Sequence, residues 1–101
     1  MSNIVIIGSG PAGVSAALYA VRAGVQTTVL TKGPGALARA ELIQNYYGFA
    51  EPITGAELER RGIEGAKAVG VEFVTTEAVG LTYTDKLTVE TLAGDFPADA
   101  V

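Results

Sequence analysis

Apolar residues arrive along this chain in short bursts whose period changes. Asn3 to Ile7 reads Asn-Ile-Val-Ile-Ile, the continuous β-branched run expected of a parallel strand buried on both faces. It stops at Gly8. Pro11 to Ala23 is almost entirely small and apolar. Pro11 suits a first helical turn, Arg22 lies near the negative end, and Gly24 stands where a left-handed C-terminal glycine belongs, so this stretch predicts a helix. Gln26 to Leu30 returns to β-branched residues and predicts a second strand. Strand, helix and strand fit within roughly thirty residues, the size of a right-handed βαβ unit.

Residues 31 to 53 form a long connection. It contains Lys32-Gly33-Pro34-Gly35 and the aromatic cluster Tyr46-Tyr47-Gly48-Phe49, with a short helical piece expected around Ala38 to Ile43. Loops of that length are uncommon without a task. Thr54 followed by Glu57 is a capping box, and the helix it opens is expected to reach about Val69, with Gly70 as its stop. Gly62 and Gly65 weaken that helix by about 1 kcal/mol each relative to Ala. This implies either close packing against another backbone or tolerated slack on a surface helix. Val71 to Thr75 reads as a third parallel strand. Val79 to Tyr83, Lys86 to Thr91 and Phe96 to Val101 are separated by Thr84-Asp85 and Ala93-Gly94-Asp95, which predicts a small antiparallel meander. Its last strand runs to the final residue without a turn or polar tail, as expected of a segment of something longer.

Composition narrows the chemistry. The chain has 101 residues, 49% of them apolar, enough for one compact domain. No run approaches the roughly eighteen residues that cross a bilayer. The first apolar run lacks the basic flank and length of a secretory signal, so a cytoplasmic location and no membrane partner are expected. The formal net charge of −4 disfavours nucleic acid as a partner. There is no Cys and no His. Disulfide, thiolate and imidazole chemistry are therefore absent from these residues, as are most transition-metal sites, and any redox chemistry must come from a bound cofactor.

The candidate chemistry lies in Gly8-Ser9-Gly10-Pro11-Ala12-Gly13, which matches G-x-G-x-x-G between a strand and a helix. Each glycine has its own duty: a tight turn off the strand, close approach of backbone to pyrophosphate, and close helix-to-strand packing. The helix N-terminus stabilises anionic phosphate through its free N–H groups and its dipole. Ser9 adds a hydroxyl donor. The acidic residue usual at the end of the second strand is absent. Thr31 stands there, with a hydroxyl but no charge, which counts against NAD.

Ile-Val-Ile-Ile-Gly-Ser-Gly-Pro-Ala-Gly, followed by Ser-Ala-Ala-Leu-Tyr-Ala-Val-Arg-Ala-Gly, resembles the start of the low-molecular-weight thioredoxin reductases, in the pyridine nucleotide-disulfide oxidoreductase superfamily. Pro34 to Leu37, Ile43 to Phe49 and Ile53 to Leu58 are similar to that family's Gly-Gly-Gln-Leu, Glu-Asn-(aromatic)-Pro-Gly-Phe and Ile-Thr-Gly-x-x-Leu segments in order and spacing. The resemblance implies an α/β, Rossmann-like FAD/NAD(P)-binding domain in three ββα layers, with residues 1–101 as the first segment of a discontinuous FAD domain.

It also implies an FAD-dependent NAD(P)H oxidoreductase. FAD pyrophosphate would lie on Gly8, Ser9, Gly10, Pro11, Ala12 and Gly13. Thr31, at the end of the second strand, would meet the adenosine ribose, Lys32 beside it is a cofactor-side candidate that could steer phosphate, and the Gly33 to Leu37 segment, with Gly35, Ala36 and Leu37, would run along the cofactor. Asn45 matches a flavin contact, and the backbone near Ala78 would approach adenine. The NAD(P)H domain, the redox-active Cys-x-x-Cys and the site for thioredoxin or another disulfide acceptor would lie outside this chain, and a homodimer is compatible with the family. Two positions depart from the pattern: Ala36 replaces a glutamine and Tyr47 a proline. A ferredoxin or flavodoxin NADP reductase-like flavoprotein and a non-catalytic nucleotide-binding module are the alternative readings.

On the residues alone, Asn45 ties its own loop to backbone, and Tyr46, Tyr47 and Phe49 form a satellite apolar cluster. Glu57, Glu59, Arg60 and Arg61 read as helix capping and a solvated face.

Overall fold

The structure is a computed structural model that describes residues 2–101. Three strands, β1 (Asn3–Ile7), β2 (Gln26–Thr31) and β3 (Glu72–Thr75), form a parallel sheet with β2 in the middle. Helices α1 (Pro11–Arg22) and α2 (Gly55–Ala68) connect them. Strands β4 (Ala78–Tyr83), β5 (Leu87–Thr91) and β6 (Gly94–Ala98) form the antiparallel meander.

The apolar run of β1 and the Val29–Leu30 and Phe73–Val74 pairs of β2 and β3 follow from a sheet that has two covered faces. Val29 of β2 is buried with Val14 and Ala17 of α1, Ala66 of α2 and Val71. The next residue, Leu30, turns to the opposite face and is buried with Val5, Val89 and Ala98, between the two sheets. One step along a strand exchanges faces, so consecutive residues serve separate cores. Helices, parallel sheet and meander thus make the three layers that the resemblance implies.

The helix signals act where expected. Gly24 and Gly70 adopt φ of +82° and +106° just past their helices. The Glu57 N–H donates to Thr54 Oγ1 at 3.1 Å. The reciprocal half of the capping box is not formed, because the Glu57 carboxylate instead accepts from Arg60 and Arg61. Gly62 and Gly65 have nothing within 4 Å of a built Cβ, so they are slack and not close packing. The tight glycine is Gly55, whose Cβ would lie 1.8 Å from the Leu37 carbonyl oxygen.

Two expectations need correction. The helical piece of the long connection is a single 3-10 turn, Leu37–Arg39, earlier and shorter than Ala38 to Ile43. After it, Ile43 and Ile53 pair as an isolated antiparallel bridge that closes the loop. The last strand also divides. Leu92 and Ala93 alone make the turn, so β6 starts at Gly94, two residues early. Beyond Ala98 the chain leaves the meander for the outer edge of β1, where the Asp99 N–H donates to the Asn3 carbonyl at 3.1 Å and the Val5 N–H to the Ala100 carbonyl at 3.0 Å.

Candidate functional site

The C-terminal ends of the three parallel strands open onto one cleft of about 500 Å³. Its floor is Ile7 to Gly10, one side is Leu30 to Ala36 with Arg39, and the other is Thr76 to Ala78. Ligands of open parallel sheets are received outside the carboxyl ends of strands, and this cleft occupies that position.

The three glycines of the motif differ physically. Gly8 has φ of +111°, a left-handed conformation that side chains resist. Gly10 is extended, with φ −69° and ψ 178°, and a Cβ there would meet nothing within 4 Å. Gly13 sits inside the packing, where a Cβ would lie 2.1 Å from the Gly8 carbonyl oxygen. Its role is to bring α1 against the turn. The Gly8 N–H donates to the Leu30 carbonyl at 2.8 Å, which fastens the loop to β2.

At the end of β2 the polar groups satisfy one another. Ser9 Oγ and Thr31 Oγ1 are 2.7 Å apart, and Ser9 is only 8% exposed. The Gly33 N–H donates to Thr31 Oγ1 at 3.1 Å, and Thr31 Oγ1 donates to the Gly33 carbonyl at 3.3 Å. The Ser9 hydroxyl, read from sequence as a phosphate donor, is therefore engaged with Thr31. Lys32 Nζ lies 3.7 Å from Glu77 Oε1 in an exposed ion pair.

The residues expected at the site are only partly brought together. Gly8, Ser9, Gly10, Thr31, Lys32, Gly35, Ala36 and Ala78 line the cleft. Pro11 and Leu37 line a neighbouring pocket of about 170 Å³ between α1 and α2. Gly13 is interior, Ala12 is exposed, and Asn45 is exposed and apart from the cleft lining. Tyr46 and Phe49 pack edge to face with centroids 5.5 Å apart, and Arg61 lies over the Phe49 ring at 5.8 Å. Tyr47 projects outward, 97% exposed.

Sequence reasoning missed Ile7, Leu30, Arg39, Thr76 and Glu77, all of which line the cleft. Their signal was positional, since Ile7 ends β1, Leu30 is the last residue but one of β2, and Thr76 and Glu77 follow β3. It also placed Glu59 on a solvated face, whereas Glu59 lines the smaller pocket and its Oε2 is buried without a hydrogen-bond partner.

A dinucleotide cofactor fits these residues. The N-terminus of α1 opens at Gly10 with no side-chain cap and no acidic residue in its first turn, leaving N–H groups free for an anion. Thr76 lines the cleft, is 9% exposed, and has a buried Oγ1 without a partner. Among the described residues no cluster of three or more His, Cys, Asp or Glu could hold a metal ion, and no helix is long and apolar enough to cross a membrane.

Layers and cleft together define a nucleotide-binding α/β protein. A model of the pyridine nucleotide-disulphide oxidoreductases matches residues 2–101, and the chain belongs to that family. It is 43% identical to a thioredoxin reductase of Aquifex aeolicus over 76% of this chain and 24% of that protein. Among solved structures, the atypical thioredoxin reductase of Desulfovibrio vulgaris Hildenborough superposes with a TM-score of 0.88 at 40% identity, over 97% of this chain and 33% of that one. A thioredoxin reductase from Gloeobacter violaceus gives 0.91 at 33% identity, over 96% of this chain and 32% of that one. The chain thus spans about a quarter to a third of the length of the relatives it matches. These matches do not favour a ferredoxin or flavodoxin reductase-like reading.

Proposed function

We propose that this chain holds FAD in the cleft at the ends of β1, β2 and β3, as the cofactor-binding part of a thioredoxin reductase-like flavoprotein. The observation that carries this reading is the uncapped N-terminus of α1, which meets the cleft at Gly10 where nothing obstructs a close-lying pyrophosphate. FAD supplies the reversible two-electron chemistry that these side chains lack.

The chain's own residues bind and orient. Gly8 turns the backbone, Gly10 leaves room, and the first turn of α1 presents its N–H groups. Lys32 and Arg39 add positive charge at the rim. Gly35, Ala36 and Leu37 would follow the cofactor toward its flavin, and Ala78 would meet adenine through backbone. Ala36 offers no side-chain hydrogen bond, so backbone or water would serve the flavin there. Asn45 would serve as the flavin contact that the resemblance implies, where the cofactor extends past the cleft.

The whole protein would pass electrons from NAD(P)H through FAD to thioredoxin or another disulfide, in the cytoplasm, with a homodimer compatible with that role. Titration of the purified chain with FAD, followed by flavin absorbance and fluorescence, tests the central claim. Binding with a perturbed flavin spectrum is expected. A chain that takes up no FAD, alone or as part of its full-length protein, would sink the reading.

A further inference from the structure

The ends of β2 and β3 differ in one respect that bears on how a nucleotide is held. At the C-terminal end of β2 the side-chain hydroxyl, that of Thr31, is saturated. A threonine hydroxyl has one hydrogen and two lone pairs. Ser9 Oγ at 2.7 Å, the Gly33 N–H at 3.1 Å and the Gly33 carbonyl at 3.3 Å take up that capacity. Nothing remains for a ribose hydroxyl. At β3 the polar groups are unsatisfied or free to share. Thr76 Oγ1 is buried without a partner, and Glu77 is the one carboxylate among the residues lining the cleft.

We infer that the ribose diol of the adenosine half is received by the Glu77 carboxylate at the end of β3, in place of the acidic residue that dinucleotide sites carry at the end of β2. This rests on the cleft being a dinucleotide site. The backbone places Glu77 correctly for the exchange. The Thr76 N–H donates to the Thr31 carbonyl at 2.9 Å, so Glu77 follows a residue clamped to the last residue of β2. Its carboxylate lies 3.7 Å from Nζ of Lys32, the residue that follows β2. Both side chains of the pair are at least half exposed, and an ion pair of that kind is weak and easily shared. A carboxylate accepts from both hydroxyls of a vicinal diol, which an uncharged threonine already engaged on three sides does not. The chemistry recognised is the unphosphorylated ribose of an adenosine diphosphate unit.

The test compares ADP with 2′,3′-dideoxy-ADP on the purified chain, in unmodified form and as Glu77→Ala and Glu77→Gln, by calorimetric titration. The unmodified chain is expected to prefer ADP by roughly tenfold, the scale of one hydrogen bond to a charged acceptor. Glu77→Ala is expected to bring the two affinities together, with Glu77→Gln between. Because the ratio is taken within each protein, partial unfolding of a variant cancels. A preference that survives Glu77→Ala overturns the inference while leaving the cleft intact as a nucleotide site. If the unmodified chain binds neither nucleotide, the cleft reading falls and this inference falls with it.

Discussion

The hydroxyls of Ser9 and Thr31 lie 2.7 Å apart and join the glycine loop to the end of the central strand, 22 residues along the chain. Thr31→Val keeps the shape and removes the partner, leaving the buried Ser9 hydroxyl and the Gly33 N–H unpaired. A loss of about 1–3 kcal/mol is expected by urea unfolding. Ser9→Ala should cost a similar amount, and the double variant less than the sum of the two, because they share one bond. Strict additivity would show that the bond contributes nothing.

Gly13 and Gly10 should separate folding from binding. Gly13→Ala places a methyl 2.1 Å from the Gly8 carbonyl oxygen, and overpacking of that kind is expected to destabilise by about 1–3 kcal/mol. Gly10→Ala meets no protein atom within 4 Å and has a backbone that alanine accepts. Its stability should stay within about 1 kcal/mol of the unmodified chain. Its affinity for FAD should fall at least about tenfold, because the methyl enters the space a pyrophosphate needs. Unchanged FAD affinity in Gly10→Ala would remove the glycine loop from the site.

Gly55 links α2 to the long connection. A Cβ there would lie 1.8 Å from the Leu37 carbonyl oxygen and 2.7 Å from that of Ala40, so Gly55→Ala must displace the Leu37–Arg39 turn. Faster tryptic cleavage after Arg39, with weakened FAD uptake, is the expected result. Cleavage at the unmodified rate would mean that the turn is not held by α2.

Acid should loosen the molecule through two identified carboxylates. Asp99 accepts the Asn3 N–H at 2.8 Å, and that bond, reinforced by Lys86 at 3.5 Å, holds its carboxyl below the usual value of 3.8. Hydrogen bonds from Arg60 and then Arg61 hold Glu57 down to about 2 from 4.5. A carboxyl depressed in the folded state stabilises fully above its unfolded value, and that stabilisation is lost as pH falls through the folded one. Unfolding midpoints should therefore decline between about pH 5 and about pH 2, and Asp99→Asn and Glu57→Gln should each flatten part of that decline. An unchanged slope in both variants would assign the acid loss elsewhere.

Most of the secondary structure was legible because its signals are local. Gly24 and Gly70 stop helices through backbone freedom, Thr54 caps through a neighbour three residues away, and β-branched runs announce strands. The errors fell where partners are distant. The strand predicted over Phe96 to Val101 divides because Asp99 and Ala100 find β1, and nothing near them in sequence signals that exchange. Glu59 looked solvated because its helix carries charge around it, yet it lines a pocket together with Leu37 and Tyr46 of the long connection, and its Oε2 is buried.

By itself the sequence determined the βαβ unit and the glycine loop, each written in residues close along the chain, and the family, carried by motifs in fixed order from Ile4 to Leu58. Only the tertiary structure decided what those residues face. It set Gly13 against Gly8, engaged the Thr31 hydroxyl with Ser9 and Gly33, and paired Glu77 with Lys32 just past the end of β2. A residue's type declares which bonds it is able to make. Which bonds it has left for a ligand depends on the neighbours that parallel strands bring together from distant parts of the chain.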